Sequence, residues 1–317
     1  MKASIVIPTY NGGELLIGCI KSIFAQKFNE TFEIVIIDSE SNDGSLKIVC
    51  DLLKTQLFKY QIIPIKQKDF KHGKSRNLAI QHCLGEIIIL LTQDAIPSNN
   101  TWLSNLVSCF EADPKIVGVF GRHKAHVKHS KIIHRDIDNH FWIMSQTPIR
   151  MIEDLNEYHR NEAIRQKLHF FSNNNSAIRK AIWNDIPFPD VAYGEDQTWA
   201  KTVIEKGYKI QYCPESIVYH SHDYGFRETF KRTLTEVVYF QNHFNYNLSK
   251  SPVSFLLELV LAISNDFRWL SQNRCFSLLD FSKSTISNLS SNLARLYCYF
   301  ERKLTLRNPT CQKKNLN

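Results

Sequence analysis

The sequence predicts an α/β fold in which a mainly parallel sheet has helices on both faces and is followed by a C-terminal helical region. Over about the first 120 residues, uninterrupted apolar runs alternate with amphipathic helical patterns, which is typical of buried parallel strands joined by helices. From residue 225 onward, apolar residues recur at every third or fourth position, which is typical of helices alone. We therefore expect one domain over residues 1–224 and a helical region over residues 225–317.

Five buried strands are predicted in the first part of the chain, over residues 3–7, 33–37, 60–65, 86–91 and 116–120. Residues 121–168 are polar, basic and rich in histidine, and they predict a mobile loop with a helix that covers the site. Three further elements are predicted beyond this segment: a strand over 168–171, a helix from Glu195 to Glu205 that stops at Gly207, and a hairpin over 209–212 and 216–219.

Composition and charge limit the class of protein. The 317 residues are 43% hydrophobic, enough for a sizeable core, and carry a formal net charge of +8. Because no arginine-rich block or nucleic-acid motif accompanies this charge, we expect affinity for nucleotide phosphates or an anionic membrane surface rather than for nucleic acid. Eight cysteines occur singly and none forms a Cys-x-x-Cys pair, which favours free thiols in a reducing compartment.

No segment of the sequence predicts export or membrane insertion. A strand pattern begins at Ala3, where a signal peptide would have its apolar core. The longest apolar candidate, residues 255–263, is shorter than the roughly 18 residues of a membrane span and contains Glu258. We expect a cytoplasmic protein, with peripheral contact to the inner face of the cytoplasmic membrane left open.

Polar side chains cluster where the predicted strands end, which is where ligands bind in open parallel sheets. The first turn lacks the Gly-x-Gly-x-x-Gly pattern, so a dinucleotide is not predicted and a mononucleotide remains open. Asp38 can accept a hydrogen bond from a base, Arg76 can pair with a diphosphate or a base, and Asp94 can hold a divalent cation. Taken singly, each is also explained as a turn residue or a surface charge.

The adjacent carboxylates Glu195 and Asp196 follow Gly194 at the start of a predicted helix. A helix N-terminus stabilises carboxylates, so these residues are explained either as helix caps or as a general base with its neighbour. The pattern of strand ends described above favours the general base. A zinc site is not favoured, because no cysteine or carboxylate completes a set with the three histidines spaced three apart: His123, His126 and His129.

Two other polar clusters have both a functional and a structural explanation. Asn173 and Asn175 belong to a run of three asparagines that can form hydrogen bonds with sugar hydroxyls. The structural alternative is that this segment leads into a helix with Ser176 as its N-cap. His220 and His222 lie on one face of a predicted strand end, which favours one metal ligand and one phosphate or structural partner. The alternative is a pair of solvent-facing imidazoles.

The C-terminal region predicts a docking surface. Its apolar stripes run from Phe226 to Val237 and from Ile286 to Leu304. Its basic end is expected to be disordered and comprises Arg302, Lys303, Arg307, Lys313 and Lys314. Such helices can dock on the first domain, pair two protomers as a homodimer or rest on an anionic bilayer. The alternative is an ordinary helical subdomain with none of these roles.

Six motifs occur in an order that resembles the inverting family 2 glycosyltransferases of the GT-A fold. They are IVIPTYNGG (5–13), VIIDSESNDGS (35–45), HGKSRN (72–77), LLTQDAIP (90–97), GEDQTWA (194–200) and HSH (220–222). HGKSRN together with TQDA resembles the rhamnosyltransferase branch, which builds bacterial surface polysaccharides such as O-antigen from dTDP-L-rhamnose. The resemblance covers about residues 1–225.

The resemblance implies a role for each matching residue. Asp196 is the expected catalytic base, and Glu195 orients it or the acceptor. Asp94 is the expected ligand of Mg²⁺ or Mn²⁺, with His220 as a second ligand, because the motif Thr92-Gln93-Asp94 lacks the family's first carboxylate. The expected nucleotide contacts are Pro8, Thr9, Asn11, Asp38, Arg76 and Gln93. The expected acceptor contacts are Asn173, Asn175, Trp199 and His222.

The expected reaction moves L-rhamnose from a nucleotide-sugar donor to a hydroxyl of a lipid-linked or growing bacterial glycan. Three alternatives remain open. A related transferase uses a UDP- or GDP-sugar, since Asp38 does not by itself identify the base. A nucleotidyltransferase shares the sheet, but the chain lacks a Gly-rich phosphate loop with a lysine after the first strand. A non-catalytic glycan-binding member would explain the missing first carboxylate.

Overall fold

The computed structural model describes residues 1–307 of the 317, with side chains up to residue 304. The chain forms two compact units. The first comprises Met1–Val127 and Ile137–Ser221, and the second comprises Lys128–Asp136 and the chain from His222 onward. The residues on either side of the predicted boundary at 224 both fall in the second unit.

A single mixed sheet organises the first unit. Its strands are β1 (Ala3–Thr9), β2 (Phe32–Asp38), β3 (Lys59–Pro64), β4 (Ile87–Leu91), β5 (Ile96–Pro97), β6 (Ile116–Lys124), β7 (Ile149–Arg150), β8 (Asn175–Arg179) and β9 (Lys209–Tyr219). Their order is β3-β2-β1-β4-β8-β6-β9-β5, with β7 paired to β9. Strands β1 to β4 are mutually parallel, as is the pair β6–β9, whereas β5, β7 and β8 run antiparallel to their neighbours.

Helices cover both faces of this sheet. They are α1 (Gly13–Phe24), α2 (Ser45–Lys54), α3 (His72–Gln81), α4 (Trp102–Ser108), α5 (Lys131–Ser145, shared by both units), α6 (Leu155–Arg160), α7 (Glu162–His169), α8 (Lys180–Asp185) and α9 (Glu195–Glu205). Within β1, Ile5 and Ile7 belong to one apolar cluster and Val6 to the other. Successive strand residues point to opposite faces, so burial on both faces explains the uninterrupted apolar runs.

The structure corrects three predictions between residues 121 and 219. Residues 168–171 form no strand: α7 ends at His169, and the strand here is β8. Residues 121–168 are mainly α5, α6, α7 and the end of β6, rather than a mobile loop. The predicted hairpin is one continuous strand, β9, which pairs with β6 along its length. Pro214 and Glu215, expected in the turn, lie instead in a bulge of this strand, where the pairing shifts from Gly121–Cys213 to Arg122–Ile217.

The second unit is helical, as predicted, with α10 (Phe226–Phe244), α11 (Pro252–Gln272) and α12 (Leu278–Arg307). Helix α12 packs against both α10 and α11. The predicted disorder of the basic end is wrong for Arg302, Lys303 and Arg307, because α12 continues to Arg307. Lys313 and Lys314 lie outside the described residues. Within the described part of the chain, none of the helices combines the length and the apolarity that crossing a membrane requires.

Candidate active site

The carboxyl end of β1 is fixed by the side chain of Gln93. The Gln93 Oε1 atom accepts hydrogen bonds from the Thr9 hydroxyl at 2.6 Å and from the Tyr10 backbone N–H at 3.0 Å. The Gln93 Nε2 atom donates to the Tyr10 carbonyl at 3.1 Å. Gln93 was expected to contact the nucleotide. In the structure it contacts the loop beside the predicted nucleotide site, so its amide sets the position of Thr9.

The end of β2 is joined to the same loop. Asp38 is buried, and its Oδ2 atom accepts a hydrogen bond from the Ser41 backbone N–H at 3.1 Å. The Asp38 Oδ1 atom is enclosed and has no hydrogen-bond partner in the described chain. Asn11, which has a left-handed backbone with φ 46°, accepts a hydrogen bond from the Asn42 backbone N–H through its Oδ1 atom at 2.8 Å. The loops after β1 and β2 therefore hold each other in place.

A cavity of about 420 Å³ opens at these strand ends. Its lining residues are Pro8, Thr9, Tyr10, Ser39, Gln67, Phe70, His72, Thr92, Gln93 and Asp94. The cavity has the volume of a small-molecule site, which typically lies between about 300 and 1,000 Å³. Four of its residues were predicted site residues, namely Pro8, Thr9, Gln93 and Asp94.

Three aromatic residues of this cavity were missed by the sequence interpretation. Tyr10, Phe70 and His72 line it, and the rings of Phe70 and His72 are in contact with centroids 5.1 Å apart. Aromatic faces are suited to stacking on planar bases. Their position beside the motifs IVIPTYNGG and HGKSRN was the available signal, since each stands in or next to a strand-end loop.

Helix α3 connects this cavity with the two adjacent carboxylates. His72 lines the cavity, and Arg76, one turn later, donates from Nη1 to Glu195 Oε1 at 2.7 Å. Both side chains of this ion pair are almost fully buried. Arg76 was expected to bind the nucleotide, but the structure pairs it with Glu195. A Cβ atom on Gly73 would lie 2.4 Å from the Pro189 carbonyl oxygen, so only glycine permits this close approach of α3.

The predicted helix from Glu195 to Glu205 is confirmed as α9. Gly194 precedes it with a left-handed backbone at φ 65°, a conformation that favours glycine. Glu195 Oε1 also accepts from the Asn173 side-chain Nδ2 at 3.2 Å. Asp196 accepts backbone hydrogen bonds from Asn173 at 3.2 Å and from Gln197 at 2.8 Å. The two carboxylates therefore share Asn173 as a neighbour, and only Glu195 touches Arg76.

The ionisation of Asp196 is strongly perturbed. Burial raises the pKa of the Asp196 carboxyl to about 7, and the adjacent Glu195 carboxylate adds to this effect. The two backbone hydrogen bonds and the Arg76 charge oppose the increase. Asp196 itself keeps part of its surface accessible, unlike Glu195. An accessible carboxylate with a pKa near neutrality is suited to accept a proton from a hydroxyl group.

A carboxylate and an imidazole lie together beside the cavity. Asp94 Oδ2 is 3.6 Å from His220 Nε2, since the pairing of Ile96 with Tyr219 brings β5 alongside the end of β9. Both side chains are partly accessible. The ring of His123, which is buried, lies 5.2 Å from that of His220 between centroids. Burial is the main reason that the pKa of His123 lies well below its usual value, so the imidazole is neutral.

The other predicted site residues have structural contacts. Asn175 is fully buried: its Oδ1 atom accepts a hydrogen bond from Trp102 Nε1, and its Nδ2 atom donates to the Ser216 carbonyl. Trp199 is also buried: its ring packs on Phe171, and its Nε1 atom donates to the Ile186 carbonyl. These two residues are therefore core residues rather than acceptor contacts. His222 belongs to the second unit, where its ring stacks on Tyr224. Among the described residues, no metal-binding group includes any of His123, His126 and His129.

The sequence matches a known protein family over most of the first unit. The family described as glycosyl transferase family 2 matches residues 4–186, which is more than half of the chain. The chain belongs to glycosyl transferase family 2. It is therefore a glycosyltransferase with the GT-A fold, and the non-catalytic and nucleotidyltransferase alternatives are not supported.

Two relatives match this family 2 enzyme over most of its length. The O-antigen chain rhamnosyltransferase RfbN of Salmonella typhimurium is 32% identical over 274 residues, which is 81% of this chain and 82% of the relative. The O-antigen chain rhamnosyltransferase WbaN of Salmonella anatum is 30% identical over 271 residues, 80% of this chain and 81% of the relative.

Solved structures are similar to the family 2 enzyme in fold. The mannosyltransferase PcManGT from Pyrobaculum calidifontis, in complex with GDP-Man and Mn²⁺, has a TM-score of 0.58 at 20% identity and covers 97% of this chain and 81% of its own. S. aureus TarS 1-349 in complex with UDP-GlcNAc has a TM-score of 0.51 at 19% identity and covers 77% of this chain and 67% of its own.

Proposed function

We propose that this enzyme transfers L-rhamnose from dTDP-L-rhamnose to a hydroxyl of a lipid-linked or growing O-antigen glycan, at the cytoplasmic face of the membrane. The observation that carries this proposal is the match to two O-antigen chain rhamnosyltransferases over about four fifths of both lengths. Each match is longer than the first unit, so it includes residues of the second. The likeness therefore exceeds that expected from the catalytic fold alone.

The cavity at the strand ends is the proposed donor site. Tyr10 and Phe70 offer aromatic faces to the base, and the Asp38 Oδ1 atom lacks a partner that a base N–H would supply. Because this oxygen is enclosed, the base reaches it only after neighbouring side chains shift. The resemblance to a UDP-GlcNAc complex and to a GDP-Man complex concerns the fold, so the identity of the base rests on the rhamnosyltransferase relatives.

The proposed reaction is one displacement with inversion at the anomeric carbon. The acceptor oxygen forms a bond to this carbon as its proton passes to the Asp196 carboxylate, and the bond from the anomeric carbon to the dTDP oxygen breaks. The hydrogen bond from Arg76 holds the Glu195 carboxylate in place beside Asp196. General-base assistance of this kind contributes about 10²- to 10⁴-fold in rate.

Asp94 and His220 are the residues that would hold a divalent cation. The Asp94 Oδ2 and His220 Nε2 atoms lie 3.6 Å apart beside the donor cavity. The carboxylate oxygen suits either Mg²⁺ or Mn²⁺, whereas the imidazole nitrogen suits Mg²⁺ less, because Mg²⁺ prefers oxygen ligands. When bound, such a cation stabilises the charge that develops on the leaving diphosphate. Thr92 stands where the motif has its first carboxylate, so the diphosphate of the donor would supply further oxygen ligands.

Calorimetric binding of dTDP, UDP and GDP, each with and without Mn²⁺, tests the donor. We expect tightest binding of dTDP in the presence of Mn²⁺, followed by slow hydrolysis of dTDP-L-rhamnose by the protein without acceptor. Preference for UDP or GDP would contradict the rhamnosyl donor and keep the glycosyltransferase. Absence of binding to all three nucleotides would contradict the proposed donor cavity.

A further inference from the structure

Among the residues that the structure describes, helix α11 of the second unit carries a largely exposed apolar face. Its aliphatic residues recur at alternating spacings of three and one, which places them on one side of the helix. Each of these side chains is between 58% and 68% exposed: Val253, Leu256, Leu257, Val260 and Leu261. Phe267, 52% exposed, continues the stripe toward the end of the helix, so the stripe is about 21 Å long at ~1.5 Å per residue.

The opposite face of α11 is fixed against the rest of the second unit by a buried carboxylate. Asp266 is 4% exposed and accepts hydrogen bonds from Arg135 Nη2 at 2.7 Å, from Asn288 Nδ2 at 2.9 Å and from the Ser284 hydroxyl. Leu270, one turn later, is fully buried. Breaking these charge-assisted bonds would leave a buried charge unpaired, so rotating the apolar stripe inward is disfavoured.

Net charge is distributed very unevenly between the two units. The first unit contains 23 Lys and Arg against 23 Asp and Glu, whereas the second contains 16 against 8. The whole formal charge of +8 therefore belongs to the second unit. Three of its basic residues, Arg307, Lys313 and Lys314, fall where no side chain is described. An exposed apolar stripe on a strongly basic unit is complementary to an anionic lipid surface, which offers acyl chains beneath negative headgroups.

Basic and aromatic side chains meet at the end of the stripe. Arg268 and Arg274 are exposed, and among the described residues neither has an acidic partner. Beside them, Phe267 and Phe276 are both about half exposed, and their rings lie 5.6 Å apart between centroids. Aromatic rings at the level of the headgroups and guanidinium groups on phosphates are the usual contacts of helices that lie in a membrane interface.

We propose that α11 docks the second unit on an anionic lipid bilayer, with Val253 to Phe267 inserted between headgroups and with Arg268 and Arg274 on lipid phosphates. The helix lies in the plane of the surface. This docking concerns a surface of the second unit, so it holds whether or not the donor is dTDP-L-rhamnose.

Flotation of the full-length protein with vesicles tests the proposal. We expect binding to vesicles of phosphatidylglycerol and phosphatidylcholine in equal parts, weaker binding as salt is raised, and much weaker binding to phosphatidylcholine alone. The variant Leu257→Glu/Val260→Glu should lower the partition coefficient at least about tenfold, because two side chains leave the acyl region. Arg268→Gln/Arg274→Gln should lower it by about tenfold on the anionic vesicles only.

Leu57→Glu is the matched control, because Leu57 is a fully exposed leucine of the first unit. It should bind vesicles as the parent protein does. Circular dichroism checks that the stripe variants remain helical. Sedimentation velocity without vesicles identifies the alternative occupant, a second copy of this chain.

A parent protein that ignores anionic vesicles would overturn the proposal. So would equal binding of the parent protein and Leu257→Glu/Val260→Glu. If the parent protein is a dimer that binds no vesicles, and Leu257→Glu/Val260→Glu converts it to a monomer, the apolar stripe is a self-association surface instead.

Discussion

Arg76 Nη1 lies 2.7 Å from Glu195 Oε1 in a buried ion pair, and Glu195 is the residue directly before Asp196. This contact gives the adjacent carboxylates of Glu195 and Asp196 different electrostatic surroundings. Glu195 is charge-compensated by a guanidinium. Asp196 accepts hydrogen bonds from two backbone N–H groups of the described chain, and its pKa is raised to about 7. The pair thus separates a structural carboxylate from one that can exchange a proton. The predictions below begin from this difference.

The pH dependence of the unliganded enzyme should report Asp196. A base must be ionised to act, and the pKa of Asp196 is raised to about 7, so the active fraction increases as pH rises through this value. We expect kcat/KM to rise about tenfold per pH unit below pH 7 and to level off above it. A profile that is already flat in the acidic range would contradict the assignment.

Glu195→Gln should move this inflection to lower pH. The Glu195 carboxylate raises the pKa of Asp196, so removing its charge makes ionisation of Asp196 easier. The comparison is the acid limb of kcat/KM for the variant and for Glu14→Gln, an exposed glutamate in the first turn of α1. Because the variant leaves a buried Arg76 unpaired, its folding should be checked by circular dichroism. An inflection that stays in place, in a folded variant, counts against electrostatic coupling of the two carboxylates.

Asp94→Ala should remove the response of activity to Mn²⁺. Without the Asp94 carboxylate the site loses its oxygen ligand, and the imidazole of His220 does not replace the oxygen that hard divalent cations prefer. We expect the activity without added metal and with saturating Mn²⁺ to become equal and low. Asp51→Ala, at an exposed carboxylate on α2 paired with Lys54, is the control and should keep the parent response. A full Mn²⁺ response in Asp94→Ala would place the cation elsewhere.

Gly73→Ala should destabilise the first unit. The new Cβ atom would lie 2.4 Å from the Pro189 carbonyl oxygen, which belongs to the backbone and cannot rotate away. Overpacking of this kind costs about 1–3 kcal/mol in the free energy of unfolding. Urea denaturation followed by tryptophan fluorescence measures it, since four of the five tryptophans belong to the first unit. Gly225→Ala meets open space and should change that signal little; equal losses in the two variants would contradict the steric explanation.

Local sequence signals were sufficient for the elements with regular patterns. Helix α9 begins after Gly194 and ends at Glu205 as predicted, because a left-handed glycine and an apolar spacing of three and four are encoded locally. The parallel strands β1, β2 and β4 were found from their apolar runs for the same reason. The strand ends then placed Thr9 and Asp94 at one cavity, as parallel sheets require.

Long-range contacts explain what the sequence did not predict. Arg76 and Glu195 are 119 positions apart, and the close packing of α3 at Gly73 brings the guanidinium to the carboxylate. Asn175 appeared available to a sugar, but its pairing opposite Leu91 within the sheet buries it completely. Neither contact follows from helical or strand periodicity, because both depend on register between distant segments.

The replacement Asp196→Asn tests the central claim most directly. Asparagine keeps the shape of the side chain but cannot accept the acceptor proton, so turnover should fall on the order of 10²- to 10⁴-fold while calorimetry gives unchanged binding of the donor nucleotide. Asp185→Asn, at an exposed residue at the end of α8, should leave both quantities unchanged. Turnover near that of the parent enzyme in Asp196→Asn would remove Asp196 from the role of general base.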